Sequence, residues 1–268
     1  MAPVFFETAG LGILIGIIMG ITGAGGGILS VPILVFTLNL PIAQASPIAL
    51  SAITLAAAAG ALIGFQGKVL RYKAAFLMSL IGLLLSPIGL WLAQIVPNAP
   101  LQVLFGIILL YVSVNLLNQA HQEKKGLSSL RNQPPCQLNT LTGKFNWSIS
   151  CAKCLMFTGA LAGFLSGLLG VGGGFVIVPA LKKFTDLPMK SIVATSLGVL
   201  AIVSAGGATV SLFIGTLNTK IAIPFALGTL IGLLIGKALE KKISGPRAQQ
   251  MFATLALFVG ISLIAKSF

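Results

Sequence analysis

Residues 12–34 read GILIGIIMGITGAGGGILSVPIL, and residues 159–181 read GALAGFLSGLLGVGGGFVIVPAL. The two stretches align without a gap at an offset of 147 residues (159 minus 12), and seven glycines and a Val-Pro pair stay in register. Self-similarity at a fixed offset is the sign of an internal duplication. We therefore expect the chain to contain two copies of one structural unit.

The same offset returns near the end of each copy, where Gly89 matches Gly236 and Phe105 matches Phe252. These matches extend the duplication over most of the chain. We assign residues 1–118 to the first repeat, residues 154–268 to the second, and residues 119–153 to a polar linker between them.

Composition places both repeats in a lipid bilayer. Of the 268 residues, 56% are apolar and only 8% are charged, whereas a soluble domain has about a quarter of its residues charged. Apolar runs such as 42–65 and 191–217 exceed the roughly 20 residues that span a bilayer core. We expect an all-α integral membrane protein. The net charge is +13, and the basic residues lie between the apolar runs. This distribution favours positive-inside topology over nucleic-acid binding.

Glycines of the first copy fall into two groups. Gly12, Gly16 and Gly20 recur every four residues and therefore share one helix face, where small residues allow another helix backbone to approach closely. For this group we predict tight helix packing.

The second group, which begins at Gly23, predicts a break in the helix. Each glycine costs about 1 kcal/mol relative to alanine in a helix, and a proline removes a further backbone donor. Paired interruptions in two halves of a membrane protein indicate a transporter binding site, and a packing hinge is the alternative. The residues predicted to line the substrate site on this basis are Gly23, Gly25, Gly26, Gly27 and Pro32, with Gly170, Gly172, Gly173, Gly174 and Pro179.

The distribution of Lys and Arg predicts the orientation. Eight plain crossings, with the N-terminus inside, place ten of the 17 basic residues inside. If residues 9–38 and 155–185 are re-entrant hairpins and the chain starts outside, all but Lys220 and Lys266 fall inside, which is fifteen of 17. The stretch before the glycine run, about 15 residues or roughly 22 Å, is also too short to cross a 30 Å core.

Each repeat then consists of one Gly-broken hairpin plus three transmembrane helices. Because three is odd, the second repeat is inverted relative to the first, as in many secondary transporters. This arrangement places both termini outside and the linker, residues 119–153, in the cytoplasm.

The doubled Gly-Pro motif, together with LPMKSIVATSL at residues 187–197, resembles the sulfite exporter TauE/SafE family of membrane permeases. The resemblance covers both repeats. It implies transport of sulfite, sulfoacetate or related organosulfur anions, mostly outward across the bacterial inner membrane.

The family pattern also has a Thr-Ser pair after the proline in each half. The second half keeps it as Thr195 and Ser196, whereas Ile48 and Ala49 stand at the matching positions of the first half, just after Ser46. The resemblance adds Thr195, Ser196 and Ser46 to the predicted site. Hydrogen bonding of Thr195 and Ser196 to their own helix is the alternative role.

The acids predict a transport mechanism without a protein-borne proton carrier. The chain has four acids, and all lie at helix ends or in loops: Glu7, Glu123, Asp186 and Glu240. Export of an anion from a negative-inside cell gains about 2.3 kcal/mol per charge per 100 mV. Backbone N–H groups at the glycine breaks can bind such an anion. Valine at Gly26 or Gly173 is expected to abolish transport and leave expression intact.

Other functions fit the sequence less well. No nucleophile–base pair lies in the apolar runs, so we expect no enzyme activity, and no motif indicates a cofactor. Cys136, Cys151 and Cys154 form no recognisable metal motif and no disulfide framework. A permease for another small solute or ion, and a membrane scaffold without transport, remain the alternatives.

Overall fold

The computed structural model describes residues 2–23, 25–124, 135–137, 148–240 and 245–267. Within these ranges the chain forms ten α-helices and one short 3-10 helix, Gly25–Leu29, and no β-strand. The α-helices are α1 (Ala2–Thr22), α2 (Ser30–Thr37), α3 (Ile42–Gln66), α4 (Tyr72–Ile95), α5 (Asn98–Lys124), α6 (Ile149–Leu169), α7 (Gly174–Phe184), α8 (Met189–Ile214), α9 (Thr219–Glu240) and α10 (Gly245–Ser267).

Seven of the described helices are long and apolar enough to cross a membrane, namely α1, α3, α4, α5, α6, α8 and α9. Their outer surfaces carry large apolar side chains, such as Phe213 at 90% exposure and Phe6 at 74%. Exposed apolar surface on this many long helices is typical of contact with lipid. The prediction of an all-α membrane protein is therefore confirmed.

The predicted length of the arm before each glycine break is wrong. Helices α1 and α6 each have 21 residues, about 31 Å at 1.5 Å per residue, and both qualify as membrane spans. The sequence-based length was too short because Glu7 and Lys153 interrupt the apolar runs. A charged residue in the first turns of a helix is nevertheless tolerated at the membrane surface, so each helix continues past it. The arms after the breaks are short, with 8 residues in α2 and 11 in α7.

The helices of the two repeats pack reciprocally. Helix α1 of the first repeat lies along α9 of the second, and their counterparts, α6 and α4, lie along each other. In the same way α3 contacts both α8 and α9, while α8 contacts both α3 and α4. Helix α5 pairs with its own counterpart, α10. The repeats are therefore interlaced, and the main helix pairs join one repeat to the other.

Glycine faces mediate these contacts. A Cβ atom added to Gly16 would overlap the backbone at Thr229 of α9, and one added to Gly163 would overlap the backbone at Gly82 of α4. Gly12 and Gly20 meet the backbone of α9 in the same way. The predicted packing role of the glycines spaced by four is confirmed.

The direction of each pair follows from its contacts. In α3, Leu50 contacts Gly207 of α8, Gly60 contacts Leu197, and Gly64 contacts Ala194. Residue numbers rise along α3 while those of the contacted residues fall along α8, so the two helices are antiparallel. Helix α4 runs parallel to both α6 and α8, since its ascending positions meet ascending positions of each. Helices α6 and α8 therefore run in one direction.

A disulfide joins Cys136 to Cys151, with 4.9 Å between their Cα atoms. The prediction that the cysteines form no disulfide is therefore wrong. Cys136 also donates its backbone N–H to the carbonyl of Phe184 at 3.1 Å and forms an isolated β-bridge with Thr185. The first turn of α6 and the last turn of α7 consequently lie at the same end of the protein. Most of the linker, residues 125–134 and 138–147, lies outside the described residues.

Candidate substrate site at the paired glycine breaks

The second glycine break is built from residues in left-handed conformations. Helix α6 is followed by Gly170, with φ of +71°, and α7 is preceded by Gly173, with φ of +72°. Residues with a Cβ atom rarely adopt this conformation. The predicted site residue Gly172 has the same sign of φ, as does Gly23 in the first break. The reversal between α6 and α7 therefore depends on glycine.

The two breaks meet in the interior. A Cβ atom on Gly27 would lie 3.2 Å from Cδ1 of Ile53, and one on Gly172 would lie 3.1 Å from Cγ2 of the same residue. Ile53 is fully buried near the middle of α3. The position on Gly27 is also 3.3 Å from the carbonyl oxygen of Val171. The structure thus brings together Gly27 and Gly172, one predicted site residue from each repeat.

Four buried serines lie on helices that pack near the second break. They come from four different helices and are at most 1% exposed. None of their hydroxyl groups has a hydrogen-bond partner among the described residues. We call them the serine cluster: Ser46 of α3, Ser86 of α4, Ser166 of α6 and Ser204 of α8.

Each member of the cluster lies beside a glycine. Ser46 contacts Gly170, and the Oγ atom of Ser204 lies 2.8 Å from the Cβ position of Gly172. The carbonyl of Ser166 accepts the N–H of Gly170 at 2.8 Å. Ser86 contacts Gly167, one helical turn before the break, and its Oγ atom lies 3.6 Å from the Cβ position of Gly207. The hydroxyls of Ser46 and Ser204 therefore lie against the break itself, whereas Ser86 and Ser166 contact glycines at the end of α6 through their backbone atoms.

Unpartnered hydroxyl groups of this kind are unusual. Leaving one buried donor without an acceptor costs about 1–3 kcal/mol, and most buried hydroxyls avoid this by bonding to their own helix. Ser79 of α4 and Ser211 of α8 do so, donating to Ala75 and Gly207 at 2.7 and 2.8 Å. The serine cluster instead keeps its hydrogen-bonding capacity available. A fifth such hydroxyl, that of Ser30, lies at the start of α2.

The surroundings of the cluster carry no nearby charge on the helices that form it. Helix α3 has no charged residue, and α4, α6 and α8 each have one, Lys73, Lys153 and Lys190, within the first five residues. The second break itself, residues 170–173, is uncharged. The groups that these helices and the second break offer are therefore neutral hydroxyl and backbone dipoles.

Other predicted site residues allow close packing of the backbone. A Cβ atom on Gly26 would meet the backbone of Met19, and one on Gly173 would meet the backbone of Ala162. Valine at either position would thus displace a helix, contrary to our expectation that expression stays intact. Gly25 and Gly174 are the first residues of the 3-10 helix and of α7.

The two prolines lie in the short arms. Pro32 is buried within α2. Pro179 lines a groove of about 510 Å³ between α5, α6 and α7, together with Asn115 and Lys183. No hydroxyl of the serine cluster lines this groove. Pro179 therefore faces a different region from Gly172.

Thr195 and Ser196 already have hydrogen-bond partners within the protein. The Oγ1 atom of Thr195 accepts the backbone N–H of Arg71 at 3.1 Å, and the hydroxyl of Ser196 donates to the carbonyl of Val193 at 2.9 Å. Arg71 directly precedes α4. Thr195 thereby joins the start of α4 to α8, and a contact of either residue with substrate stays a prediction.

Sequence reasoning identified Ser46 but missed Ser86, Ser166 and Ser204. All three are isolated small polar residues inside apolar runs. Polar residues inside membrane spans are uncommon, and such residues mark functional sites in many transporters. That signal could have found them, although it does not separate them from Ser79 or Ser211, whose hydroxyls bond to their own helices.

Comparison with known proteins gives one consistent result. Residues 8–263 match the family described as sulfite exporter TauE/SafE. The chain is similar to the probable membrane transporter protein YunE of Bacillus subtilis, at 25% identity with 95% of each chain covered. It is also similar to a probable membrane transporter protein of Methanocaldococcus jannaschii, at 26% identity with 95% of this chain and 93% of the relative covered. No solved structure gives a significant match.

Proposed function

Because this chain belongs to the sulfite exporter TauE/SafE family, we propose that it is a permease that exports sulfite or related organosulfur anions across the bacterial inner membrane. It acts as a transporter and not as an enzyme. The serine cluster beside the second glycine break is the observation that carries this proposal, because it offers buried donors with no partner of their own.

Sulfite and sulfonates carry their negative charge on oxygen atoms. A deprotonated oxygen of this kind accepts hydrogen bonds and donates none. A hydroxyl group donates one hydrogen bond to such an oxygen, and a bond to an ionised acceptor is roughly twice as strong as a neutral one. The hydroxyls of Ser46 and Ser204 both lie against glycines of the break. They are placed to replace part of the water shell that the anion loses in the membrane.

Helix α7 adds backbone donors. It starts at Gly174 with no side-chain cap, so its first N–H groups have no partner within the helix and carry the positive end of the helix dipole. An anion at a helix N-terminus is stabilised by both effects. The N–H groups near Gly172 and the serine hydroxyls thus form one set of donors without a charged side chain.

The transport mechanism follows from the proposed inverted repeat. Two counterpart pairs, α3 with α8 and α5 with α10, have antiparallel contacts, as expected when one repeat is inverted. Helices α6 and α8 run in one direction, so α7 returns the chain to the side where α6 began. The contact of Cys136 with both Cys151 and Phe184 supports this hairpin as well. Alternating access then arises when one repeat moves against the other around the paired breaks.

Charge supports the proposed orientation, with both termini outside and the linker in the cytoplasm. Lys182 and Lys183 lie in the last turn of α7, at the same end as Cys136 and the linker. This end is the cytoplasmic one by the positive-inside rule, and the Cys136–Cys151 disulfide then lies at the surface that faces a compartment in which thiols are kept reduced. Anions then leave the cell down the membrane potential, which provides about 2.3 kcal/mol per charge per 100 mV.

The test is sulfite efflux from proteoliposomes with the membrane potential clamped by a potassium gradient and an ionophore, and with equal pH on both sides. We expect efflux that rises with an inside-negative potential and is absent from protein-free liposomes. Efflux that requires a pH gradient would contradict the potential-driven mechanism. Absence of sulfite and sulfonate flux under all conditions would favour a permease for another solute, or a scaffold.

A further inference from the structure

The four positions of the serine cluster have counterparts in the other repeat, and none of the counterparts is polar. At the offset of 147 (193 minus 46), Ser46 corresponds to Val193 and Ser86 to Leu233, while Ser166 and Ser204 correspond to Met19 and Ala57. All four counterparts are buried, with Val193 the most exposed at 8%. The two breaks therefore differ in chemistry at every position of the cluster.

The geometry of the two breaks is nevertheless similar. Gly170 lies against Ser46, and Gly23, its counterpart, lies against Val193, with 2.6 Å between the Cβ position of the glycine and a methyl group of the valine. The same helix-to-break contact is thus made twice, once with a hydroxyl and once with a methyl group. The packing at these positions is thus the same in both repeats, but only the contact at the second break has a polar side chain.

We propose that the substrate binds at the second break alone, on the serine cluster, and that this site takes singly charged oxyanions, such as alkylsulfonates and hydrogensulfite. This inference rests on the proposed function, because it concerns the same site. The first break, lined by Val193, Leu233 and Met19, offers among the described residues a single hydroxyl without a partner, that of Ser30 at the start of α2, against the four of the serine cluster.

Restriction to singly charged anions follows from the neutral donors. The free energy needed to remove an ion from water rises with the square of its charge, whereas its attraction to fixed neutral dipoles rises only in proportion to the charge. A second charge on the substrate therefore raises the free energy of desolvation by more than it increases the attraction to the dipoles of the site. A dianion such as sulfate would gain more from a buried Lys or Arg than a singly charged anion does, and the helices that carry the serine cluster have Lys only near their starts.

The experiment measures uptake of labelled methanesulfonate and sulfate into proteoliposomes under a clamped potential. The two anions share a tetrahedral sulfur and differ in charge. The test variants are Ser46→Ala and Ser204→Ala. Their matched controls are Ser79→Ala and Ser211→Ala, which remove buried hydroxyls that already bond to their own helices. Ala57→Ser adds a hydroxyl at the first break.

We expect the wild type to take up methanesulfonate at least about tenfold faster than sulfate. Loss of one donor to an ionised acceptor should raise the KM for methanesulfonate about tenfold or more in each test variant. The KM for methanesulfonate of the controls and of Ala57→Ser should stay within about twofold of the wild-type KM. Size-exclusion profiles in detergent will show that all variants are folded.

The outcomes separate this inference from the proposed function. If the wild type carries methanesulfonate but the test variants match their controls, the serine cluster is not the site, and the proposed function stands. Equal uptake of sulfate and methanesulfonate would overturn the charge selectivity in the same way. If the wild type carries neither these anions nor sulfite, the proposed function fails, and this inference fails with it.

Discussion

Gly170 lies so close to Ser46 that a Cβ atom on the glycine would overlap the backbone and side chain of the serine. The contact joins the end of α6, in the second repeat, to the first turns of α3, in the first repeat. The hydroxyl of Ser46 has no hydrogen-bond partner among the described residues. Movement of the second break therefore changes the position of a donor that belongs to the opposite repeat.

Substitution of Gly170 by Ala should destabilise the protein through two effects. The left-handed conformation costs about 1–2 kcal/mol for a residue with a Cβ atom, and the overlap with Ser46 forces α3 and α6 apart. Gly215 is the matched control, since its φ is +79° but no described atom lies within 4 Å of its Cβ position. We expect Gly170→Ala to lower the melting temperature in detergent clearly more than Gly215→Ala. Equal shifts would show that the contact with Ser46 is looser than described.

The glycine face of α1 gives a second prediction. Gly16→Val should separate α1 from α9, because the Cβ position of Gly16 overlaps the backbone of Thr229. Gly10→Val is the control on the same helix, since nothing lies within 4 Å of its Cβ position. We expect a loss of folded protein by fluorescence-detected size exclusion for Gly16→Val alone. A folded Gly16→Val variant with normal yield would argue against close packing of the two helices.

Thr195 and Ser196 should behave differently on substitution. Thr195→Val leaves the part-buried backbone N–H of Arg71 without this acceptor, which costs about 1 kcal/mol or more. Ser196→Ala removes only a bond within the helix and should cost less than about 1 kcal/mol. Thermal unfolding and methanesulfonate uptake together test this. A loss of uptake by Ser196→Ala at unchanged stability would instead indicate contact with the substrate.

The disulfide makes a prediction about thiol reactivity and stability. The protein has three cysteines, and Cys154 is the free one. Unfolded protein purified without reductant should therefore react with one equivalent of maleimide, and the Cys136→Ser variant with two. The disulfide closes a loop of 15 residues, so its reduction should lower stability by about 3 kcal/mol. Reaction with three equivalents without reductant would exclude the bond.

Local sequence patterns predicted the features that depend on local physics. The spacing of Gly12, Gly16 and Gly20 predicts a packing face because helix geometry alone places residues four apart on one side. The same holds for the membrane spans, which follow from the length of an apolar run. The start of α1 was missed because Glu7 interrupts the run, although the helix continues past it to Ala2.

The polar lining of the site depends on contacts across the whole chain. Ser86 and Ser204 are placed beside the second break by the packing of α4 on α6 and on α8, and no window of sequence contains these pairs. The disulfide was missed for a related reason, since the bridge between Cys136 and Thr185 holds Cys136 beside the first turn of α6. A pattern search that treats each repeat separately finds the breaks but not their surroundings.

The interlaced packing of the two repeats has a consequence for biosynthesis. The glycine face of α1 is covered by α9, and Gly12 precedes Thr229 by 217 residues (229 minus 12). At about 5–20 residues per second, translation leaves α1 without its partner for roughly 10–40 s after it enters the membrane. During that interval lipid, the translocon or an insertion chaperone must cover this face. The first repeat therefore cannot complete its folding before α9 of the second repeat has been synthesised.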